Sequence, residues 1–166
     1  MGSDLSTRLR QLKLIAFDFD GVFTDGKVIV GEDGQESVIC SRKDTLRFPE
    51  LKSKGVQLVV ISKESNPVVL QRCAKMSAEC FQGVDDKIAL FKKLLAGRGV
   101  TPSETAFVGD DINDLECLKY AGLAFTVADG HEECKAIADY VTRRNGGNHA
   151  VREICDLILD ARGASL

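Results

Sequence analysis

Hydrophobic residues along the chain occur in short continuous runs, each followed closely by an acidic residue, a glycine or a serine. Runs of this kind are typical of strands that are buried on both faces of a parallel sheet. They predict strands at 12–19 (LKLIAFDF), 56–62 (VQLVVIS), 78–83 (AECFQG), 105–110 (TAFVGD) and 123–128 (LAFTVA), with a shorter strand at 139–142 (DYVT).

Between these runs, apolar residues recur at the spacing of amphipathic helices. Asn66 and Pro67 suit the N-cap and the first position of one such helix, and Gly55 suits the end of another. Pro49 predicts a kink or a late start in the helix that contains it. The predicted helices are Asp44–Lys54, 66–76, 85–99, 112–122, 132–138 and 148–161.

Strands and helices alternate along the chain, and this order favours an α/β fold with a mainly parallel sheet and helices on both faces. Residues 27–40 (KVIVGEDGQESVIC) interrupt the alternation and predict a β-hairpin that turns at 31–35. We predict one domain over 1–166, with its core at about 12–162. It is a three-layer, Rossmann-like sandwich with a β-hairpin inserted after strand 1.

Composition supports an ordinary globular protein: 44% of the 166 residues are hydrophobic, 28% are charged and the net charge is −3. No basic block suggests nucleic acid as a partner, and no apolar run is long enough to span a membrane. The N-terminus lacks the apolar core of a signal peptide, so we expect a cytoplasmic protein. The 6 cysteines form no C-x-x-C pair, which favours reduced, buried thiols over a zinc site or a disulfide framework.

Candidate chemistry collects where the predicted strands end. Asp18 and Asp20 end the first strand, Ser62 ends the second, and the segment GDDIND at 109–114 ends the fourth. Lys87 lies in the first turn of the helix that follows the third strand. Because function in such sheets gathers at the carboxyl ends of the strands, we expect these groups to share one rim.

A rim with acids, a hydroxyl and an ammonium suits phosphoryl transfer from a phosphomonoester. One carboxylate attacks phosphorus, and a second acid protonates the leaving alcohol and then activates water. Mg²⁺ is the expected cofactor, because it prefers oxygen ligands and offsets the charge of two anionic reactants. Ser62 and Lys87 would bind or neutralise the phosphate oxygens. Asp111 or Asp114 could also serve as an N-cap of the next helix.

The four segments DFDGVFTDG at 18–26, VVIS ending at Ser62, QGVDDK ending at Lys87 and GDDIND at 109–114 resemble, in order and spacing, the motifs of the haloacid dehalogenase superfamily of phosphatases. The resemblance implies Asp18 as nucleophile and Asp20 as general acid/base. It implies Mg²⁺ ligation by Asp18, Asp110 and the backbone carbonyl of Asp20, with Asp111 or Asp114 as a supporting acid.

A narrower resemblance is to the branch without a cap domain that hydrolyses 3-deoxy-D-manno-octulosonate 8-phosphate. The chain equally resembles the relatives of that branch. Some of these act on nine-carbon nonulosonate 9-phosphates, and others are phosphatase-like domains attached to acylneuraminate cytidylyltransferases. The interval from Asp25 to Ser62 holds a hairpin and a helix but no cap domain. The resemblance implies a homotetramer in which a neighbour's hairpin covers the site. It also implies that the segment 146–153 reaches toward the site, with Arg152 as a candidate anion-binding residue.

Departures from that branch bear on the substrate. Glu64 stands where the octulosonate enzymes usually have Arg, and with Lys75 it resembles the nine-carbon branch more closely. Both residues are therefore candidate substrate contacts. Thr45 and Arg47 replace expected glycines, so either Arg47 points into the site or the segment takes another path. Lys63 also replaces a more usual glycine.

Two other functions use similar groups or a similar fold. A response-regulator receiver domain uses similar groups on a parallel sheet, but there the lysine comes last, whereas here the acids of GDDIND follow Lys87. The alternative is a non-catalytic tetramerisation or regulatory domain that partners an acylneuraminate cytidylyltransferase. Loss of the acids in the DxD segment at 18–20 or in the GDD segment at 109–111 would indicate that role, and both segments are intact. The sequence therefore favours a phosphomonoesterase acting on a small acidic sugar phosphate.

Overall fold

The computed structural model describes residues 3–163, and the remaining residues of the predicted 1–166 domain lie outside this range. Six parallel strands form the central sheet in the order β5-β4-β1-β6-β7-β8. These strands are β1 (Leu14–Phe17), β4 (Gln57–Ile61), β5 (Glu79–Phe81), β6 (Thr105–Val108), β7 (Leu123–Thr126) and β8 (Tyr140–Val141). The predicted Rossmann-like α/β fold is confirmed.

Seven α-helices accompany the sheet in the described range. They are α1 (Ser3–Gln11), α2 (Phe48–Ser53), α3 (Pro67–Met76), α4 (Lys87–Arg98), α5 (Leu115–Tyr120), α6 (Glu132–Ile137) and α7 (Ala150–Ala161). No helix within residues 3–163 has the length and hydrophobicity needed to cross a membrane.

Alternate residues of β1 separate the core into two layers. Ile15 and Phe17 pack with buried side chains of α1, α2, α3 and α7. Leu14 and Ala16 pack on the other face with side chains of α4, α5 and α6. Every residue of β1 is buried, because successive side chains of a strand point to opposite faces and both faces are covered.

The inserted hairpin is shorter than its sequence suggested. Strands β2 (Ile29–Val30) and β3 (Glu36–Ser37) pair antiparallel as a separate two-stranded sheet. Both strands are exposed on this chain. Only the hairpin and α2 separate β1 from β4, so the described chain holds no cap domain at this position.

Of the two effects predicted for Pro49, the late start is observed. Helix α2 begins at Phe48 and not at Asp44, with Pro49 near its start. This placement satisfies proline, which lacks an N–H and suits the first turn of a helix. Helix α1 was not predicted at all, although its Leu9 is fully buried in the core.

Candidate active site

The predicted catalytic groups lie at one rim of the sheet. Strands β4, β1 and β6 are neighbours, and the chain leaves each of them at Ser62, Asp18 and Gly109 respectively. Asp18 continues the ladder through its N–H, which donates to the carbonyl of Val108 at 2.8 Å. The strand order thus converts residues that are far apart in sequence into one cluster, as the sequence predicted.

Lys87 joins two acids at the base of this cluster. Its Nζ lies 2.8 Å from Oδ2 of Asp18 and 2.8 Å from Oδ1 of Asp114. Burial alone would lower the pKa of Lys87, but the two carboxylates outweigh it and raise the pKa above its ordinary value. The ammonium therefore stays charged and fixes the direction of the Asp18 carboxylate.

Asp18 itself is buried and lies close to another carboxylate, that of Asp114. Burial and the nearby charge of Asp114 raise its pKa well above the ordinary value, against the opposing effect of Lys87. Its Oδ1 accepts a hydrogen bond from the N–H of Phe19 at 2.6 Å. A carboxylate in this setting has more negative charge around it than one ammonium neutralises, which is a setting that favours a bound cation.

Asp110 supplies a third carboxylate beside Asp18. Burial, followed by the charges of Asp114 and Asp111, raises the pKa of Asp110 to about 7. Carboxylate oxygens of Asp18, Asp110 and Asp114 all lie within 4.8 Å of one another, and no other such group of metal-binding side chains occurs within residues 3–163. This oxygen-only donor set fits Mg²⁺.

Asp114 supports this cluster from behind. Its Oδ1 binds Lys87, while its Oδ2 accepts the N–H of Asp110 at 3.1 Å. Asp111 points elsewhere: it is exposed, and its Oδ1 accepts the N–H of Ile112 at 2.7 Å in the turn before α5. Of the two predicted supporting acids, the structure therefore places Asp114 in the cluster and Asp111 at a turn.

Asp20 is held at the edge of the cluster by a residue that the sequence reading missed. Thr24 is fully buried, and its hydroxyl donates to Oδ1 of Asp20 at 3.3 Å while accepting the N–H groups of Gly21 and Gly26. Burial raises the pKa of Asp20, and the bond from Thr24 partly opposes this. A raised pKa suits a residue that has to deliver a proton.

A groove of about 470 Å³ opens above these residues. Ser62 is buried at its base, where its Oγ accepts the N–H of Glu64 at 3.1 Å and its hydroxyl hydrogen is available to another acceptor. Lys63 and Asn113, which the sequence reading did not select, also line the groove. The full lining is Asp18, Asp20, Ser62, Lys63, Glu64, Ser65 and Asn113.

The three predicted substrate contacts have different positions. Glu64 lines the groove, but its Oε1 accepts the N–H groups of Ser65 and Asn66 at 2.7 and 2.8 Å. Lys75 is exposed on α3 and does not line the groove. Arg152 lies on α7, where its Nε donates to both carboxylate oxygens of Asp156, and it borders a different cavity.

The segment around Arg47 takes a path away from the groove. Arg47 pairs with Glu50 at 3.2 Å and with Asp156 at 3.3 Å. Asp44 is fully buried, and its Oδ1 accepts the N–H of Arg152 at 3.2 Å near the start of α7. Of the two alternatives for Arg47, the structure supports the second, with the segment attached to α7.

Two glycines after β8 pack directly on the loop that carries Asp20. A Cβ on Gly146 would lie 1.7 Å from the carbonyl oxygen of Gly21, and one on Gly147 would lie 2.7 Å from the carbonyl carbon of Thr24. The N–H of Gly147 donates to the carbonyl of Val22 at 3.0 Å. The segment 146–147 thus approaches the site within the same chain, as backbone and not as side chain.

Comparison with known proteins gives a consistent family. The model of the haloacid dehalogenase-like hydrolases matches residues 61–154. The 3-deoxy-D-manno-octulosonate 8-phosphate phosphatase of Escherichia coli strain K12 is 33% identical over 164 residues, which cover 98% of this chain and 87% of that protein.

Solved structures agree. The corresponding phosphatase of Moraxella catarrhalis, in complex with magnesium, phosphate and KDO, superposes with a TM-score of 0.92 at 34% identity, covering 97% of this chain and 93% of that one. The cobalt-bound phosphatase of Haemophilus influenzae superposes with a TM-score of 0.89 at 32% identity, covering 94% and 92% of the two chains.

Proposed function

The chain belongs to the haloacid dehalogenase-like hydrolases, and from that premise we propose that it is a Mg²⁺-dependent phosphatase of a small acidic sugar phosphate. The proposed substrates are 2-keto-3-deoxy sugar acids phosphorylated at the terminal carbon, either an octulosonate 8-phosphate or a nonulosonate 9-phosphate. The names of the relatives support the first of these, since they are octulosonate 8-phosphate phosphatases.

One observation carries the proposal: Lys87 bridges Asp18 and Asp114 at 2.8 Å to each, with Asp110 alongside. If Lys87 served only to neutralise buried acids, those acids would have no need to face a groove. Asp18 and Asp20 do line the groove, so an entering phosphate would meet the Asp18 carboxylate. The geometry therefore supports a nucleophile held in place, and not merely a buried ion pair.

In the proposed reaction an Asp18 carboxylate oxygen forms a bond to phosphorus, and the bond from phosphorus to the sugar oxygen breaks. Asp20 gives its proton to that leaving oxygen. Water then attacks the aspartyl phosphate, Asp20 takes a proton from the water, and inorganic phosphate leaves while Asp18 is restored. Lys87 and the Ser62 hydroxyl hold the phosphate oxygens during both steps.

Mg²⁺ would be held by Asp18, Asp110 and the backbone carbonyl of Asp20, and it would supply positive charge that lets two anions approach each other. In this scheme Asp114 is a supporting acid and not a direct ligand: it is fully buried, with Oδ1 bound to Lys87 and Oδ2 accepting the N–H of Asp110. Its role is to orient Lys87 and the backbone of Asp110.

We further propose that the enzyme is a homotetramer in which the hairpin of one chain covers the groove of another. The hairpin exposes apolar side chains that this chain alone leaves uncovered: Val28 (49% exposed), Ile29 (60%), Val30 (62%) and Ile39 (72%). A row of this kind is typical of a protein interface.

Phosphate release tests the function directly. Purified protein with Mg²⁺ would be assayed on octulosonate 8-phosphate, N-acetylneuraminate 9-phosphate and deaminated neuraminate 9-phosphate. We expect turnover of at least one substrate, its loss on chelation of Mg²⁺, and its loss in Asp18→Asn. The matched control is Asp160→Asn, which makes the same change at an exposed position of α7.

The pattern of results separates the alternatives. Preference for a nine-carbon substrate would support Glu64 and Lys75 as specificity residues, whereas preference for the eight-carbon substrate would not. An Asp18→Asn protein with undiminished turnover would overturn the covalent mechanism. A stable oligomer that hydrolyses none of the substrates would favour the non-catalytic assembly role.

A further inference from the structure

Lys63 lies beside the proposed active site, and in the described part of the chain its ammonium group is not paired with an acid. It directly follows Ser62 and lines the groove. Its side chain is exposed, and within residues 3–163 it forms no hydrogen bond or ion pair. Lys87, by contrast, is buried and bound to Asp18 and Asp114. A lysine that lines a functional groove without a protein partner has its charge available for a ligand.

The depth of Lys63 distinguishes it from the groups that would bind phosphate. Asp18 is 5% exposed, Lys87 4% and Ser62 1%, so the phosphate position lies at the base of the groove. Lys63 and Glu64 are exposed at its mouth. Because the leaving group extends from the phosphate toward the opening, Lys63 lies where the rest of the substrate would pass.

The mouth is otherwise acidic. Asp20 and Glu64 line it, and Glu36 of the hairpin approaches from the side through a 3.2 Å hydrogen bond from Asn66. Burial is the main cause of the raised pKa of Asp20, and the charges of Glu64 and Glu36 add to it. An anionic leaving group would be repelled by these carboxylates unless a cation stood among them.

At least one acid of the mouth is already hydrogen-bonded within the protein. Glu64 accepts two backbone N–H groups at the start of α3, so its carboxylate is held in place by the fold. Lys63 has no such constraint, and its long side chain can adjust to a ligand group above the phosphate site. Of the charged side chains that line the groove, Lys63 is therefore the one suited to select a second anionic group.

We propose that Lys63 is a specificity-determining residue whose ammonium binds a carboxylate on the leaving group of the substrate. The proposal rests on the proposed phosphatase function and deepens it. It assigns to one side chain the preference for acidic over neutral sugar phosphates. No bond is made or broken at Lys63, so its contribution lies in binding and in orientation.

The test compares two substrates that share the phosphate but differ in the second anionic group. Octulosonate 8-phosphate carries a carboxylate, and p-nitrophenyl phosphate carries none. Steady-state kinetics would be measured with Mg²⁺ for the wild type, Lys63→Gln and Lys63→Arg. Lys93→Gln is the matched control, because Lys93 is an exposed lysine on α4 that does not line the groove.

We expect Lys63→Gln to lower kcat/KM for octulosonate 8-phosphate about 10- to 100-fold, chiefly through KM, because a charge-assisted hydrogen bond is lost. Activity on p-nitrophenyl phosphate should stay within about twofold, Lys63→Arg should retain most of the selectivity, and Lys93→Gln should behave as the wild type.

Equal losses on both substrates would overturn the proposal, since they would place Lys63 on the phosphate. Unchanged kinetics on both would overturn it as well. If the wild type hydrolyses p-nitrophenyl phosphate but not octulosonate 8-phosphate, the phosphatase activity survives and the role of Lys63 fails. If the wild type hydrolyses neither, the proposed function itself fails.

Discussion

The carboxylate of Asp110 fills the position that a side chain on Gly21 would take: a Cβ on Gly21 would lie 1.8 Å from Oδ2 of Asp110. Gly21 also has φ +76, in the left-handed region where a side chain is strained. The loop after β1 and the loop after β6 are thus in direct contact through the glycine. This explains physically why a glycine follows the acids Asp18 and Asp20.

Replacing Gly21 with alanine should therefore disable the site more than the fold. The new methyl group would push the Asp110 carboxylate away from Asp18, and a displacement of about 1 Å in a catalytic group costs on the order of 100-fold in rate. We expect at least that loss of phosphatase activity, together with weaker Mg²⁺ binding measured by titration calorimetry.

Gly55→Ala separates the contact from backbone strain. Gly55 has a similar φ of +80, but a Cβ there would meet no atom within 4 Å. Both variants should lose about 1 kcal/mol of stability from the left-handed backbone, and only Gly21→Ala should lose activity. Similar activities in the two variants would show that the Gly21–Asp110 contact is unimportant.

Lys87 should contribute to both stability and activity. Its removal leaves Asp18 and Asp114 as buried like charges without a counter-ion, and breaking a buried ion pair in this way costs about 3–5 kcal/mol. We expect Lys87→Met to shift the urea midpoint strongly downward and to abolish turnover. Lys93→Met, at an exposed position of the same helix, should leave both unchanged.

The loss of stability in Lys87→Met should be smaller with saturating Mg²⁺, because a dication would neutralise part of the same acidic cluster. A variant with wild-type stability in the absence of metal would contradict the view that Lys87 is the main counter-ion of Asp18.

The alternation of strands and helices and the gathering of Asp18, Ser62 and Lys87 at one rim were predictable, because the strands and helices are marked by short-range patterns. The buried runs that end at Asp18, Ser62 and Asp110 identify strands, and a parallel sheet must bring their carboxyl ends to one edge. Lys87 was found because it begins a helix after such a strand. These predictions needed only periodicity and topology.

What could not be predicted depends on tertiary contacts. Helix α1 is mostly polar, and its formation rests on burial of Leu9 and on Arg8, which donates to Asp139 at 2.8 Å. The position of Thr24 depends on how the loop folds back over Gly21 and Gly26. The pairing of Arg47 with Asp156 joins residues that no local pattern relates.

Glu104 provides a pH-dependent contribution to stability away from the active site. Its Oε2 accepts the N–H and hydroxyl of Thr101, and its Oε1 pairs with Lys13 at 2.5 Å. The side-chain hydrogen bond from Lys13 and then the bonds from Thr101 lower the pKa of Glu104 to about 2. A folded-state pKa below the unfolded value means that the charged form favours folding.

The stabilisation should be fully present above the ordinary glutamate pKa of 4.5 and should disappear as the pH falls from there toward about 2. We expect Glu104→Gln to lower the melting temperature at pH 7, with the difference from the wild type shrinking below pH 4.5. Glu132→Gln, which alters an exposed acid on α6, is the control. A difference that stays constant down to about pH 2 would contradict the assignment.

The hairpin offers a test of assembly that does not alter any catalytic residue. Ile29 is 60% exposed on strand β2, and its neighbours Val28 and Val30 are also exposed. If a second copy covers this row, a charge placed there must be desolvated in the assembly but not in the free chain. Ile29→Asp should therefore yield smaller particles by light scattering, with unchanged circular dichroism.

Ile29→Val is the matched control, because it keeps an apolar, β-branched side chain at the same position and should retain the wild-type mass. If a neighbour's hairpin also closes the groove, Ile29→Asp should lose activity in proportion to its loss of tetramer, and raising the protein concentration should restore both together. An Ile29→Asp protein that remains tetrameric would place the interface elsewhere. A dissociated protein with full activity would show that one chain forms a complete site.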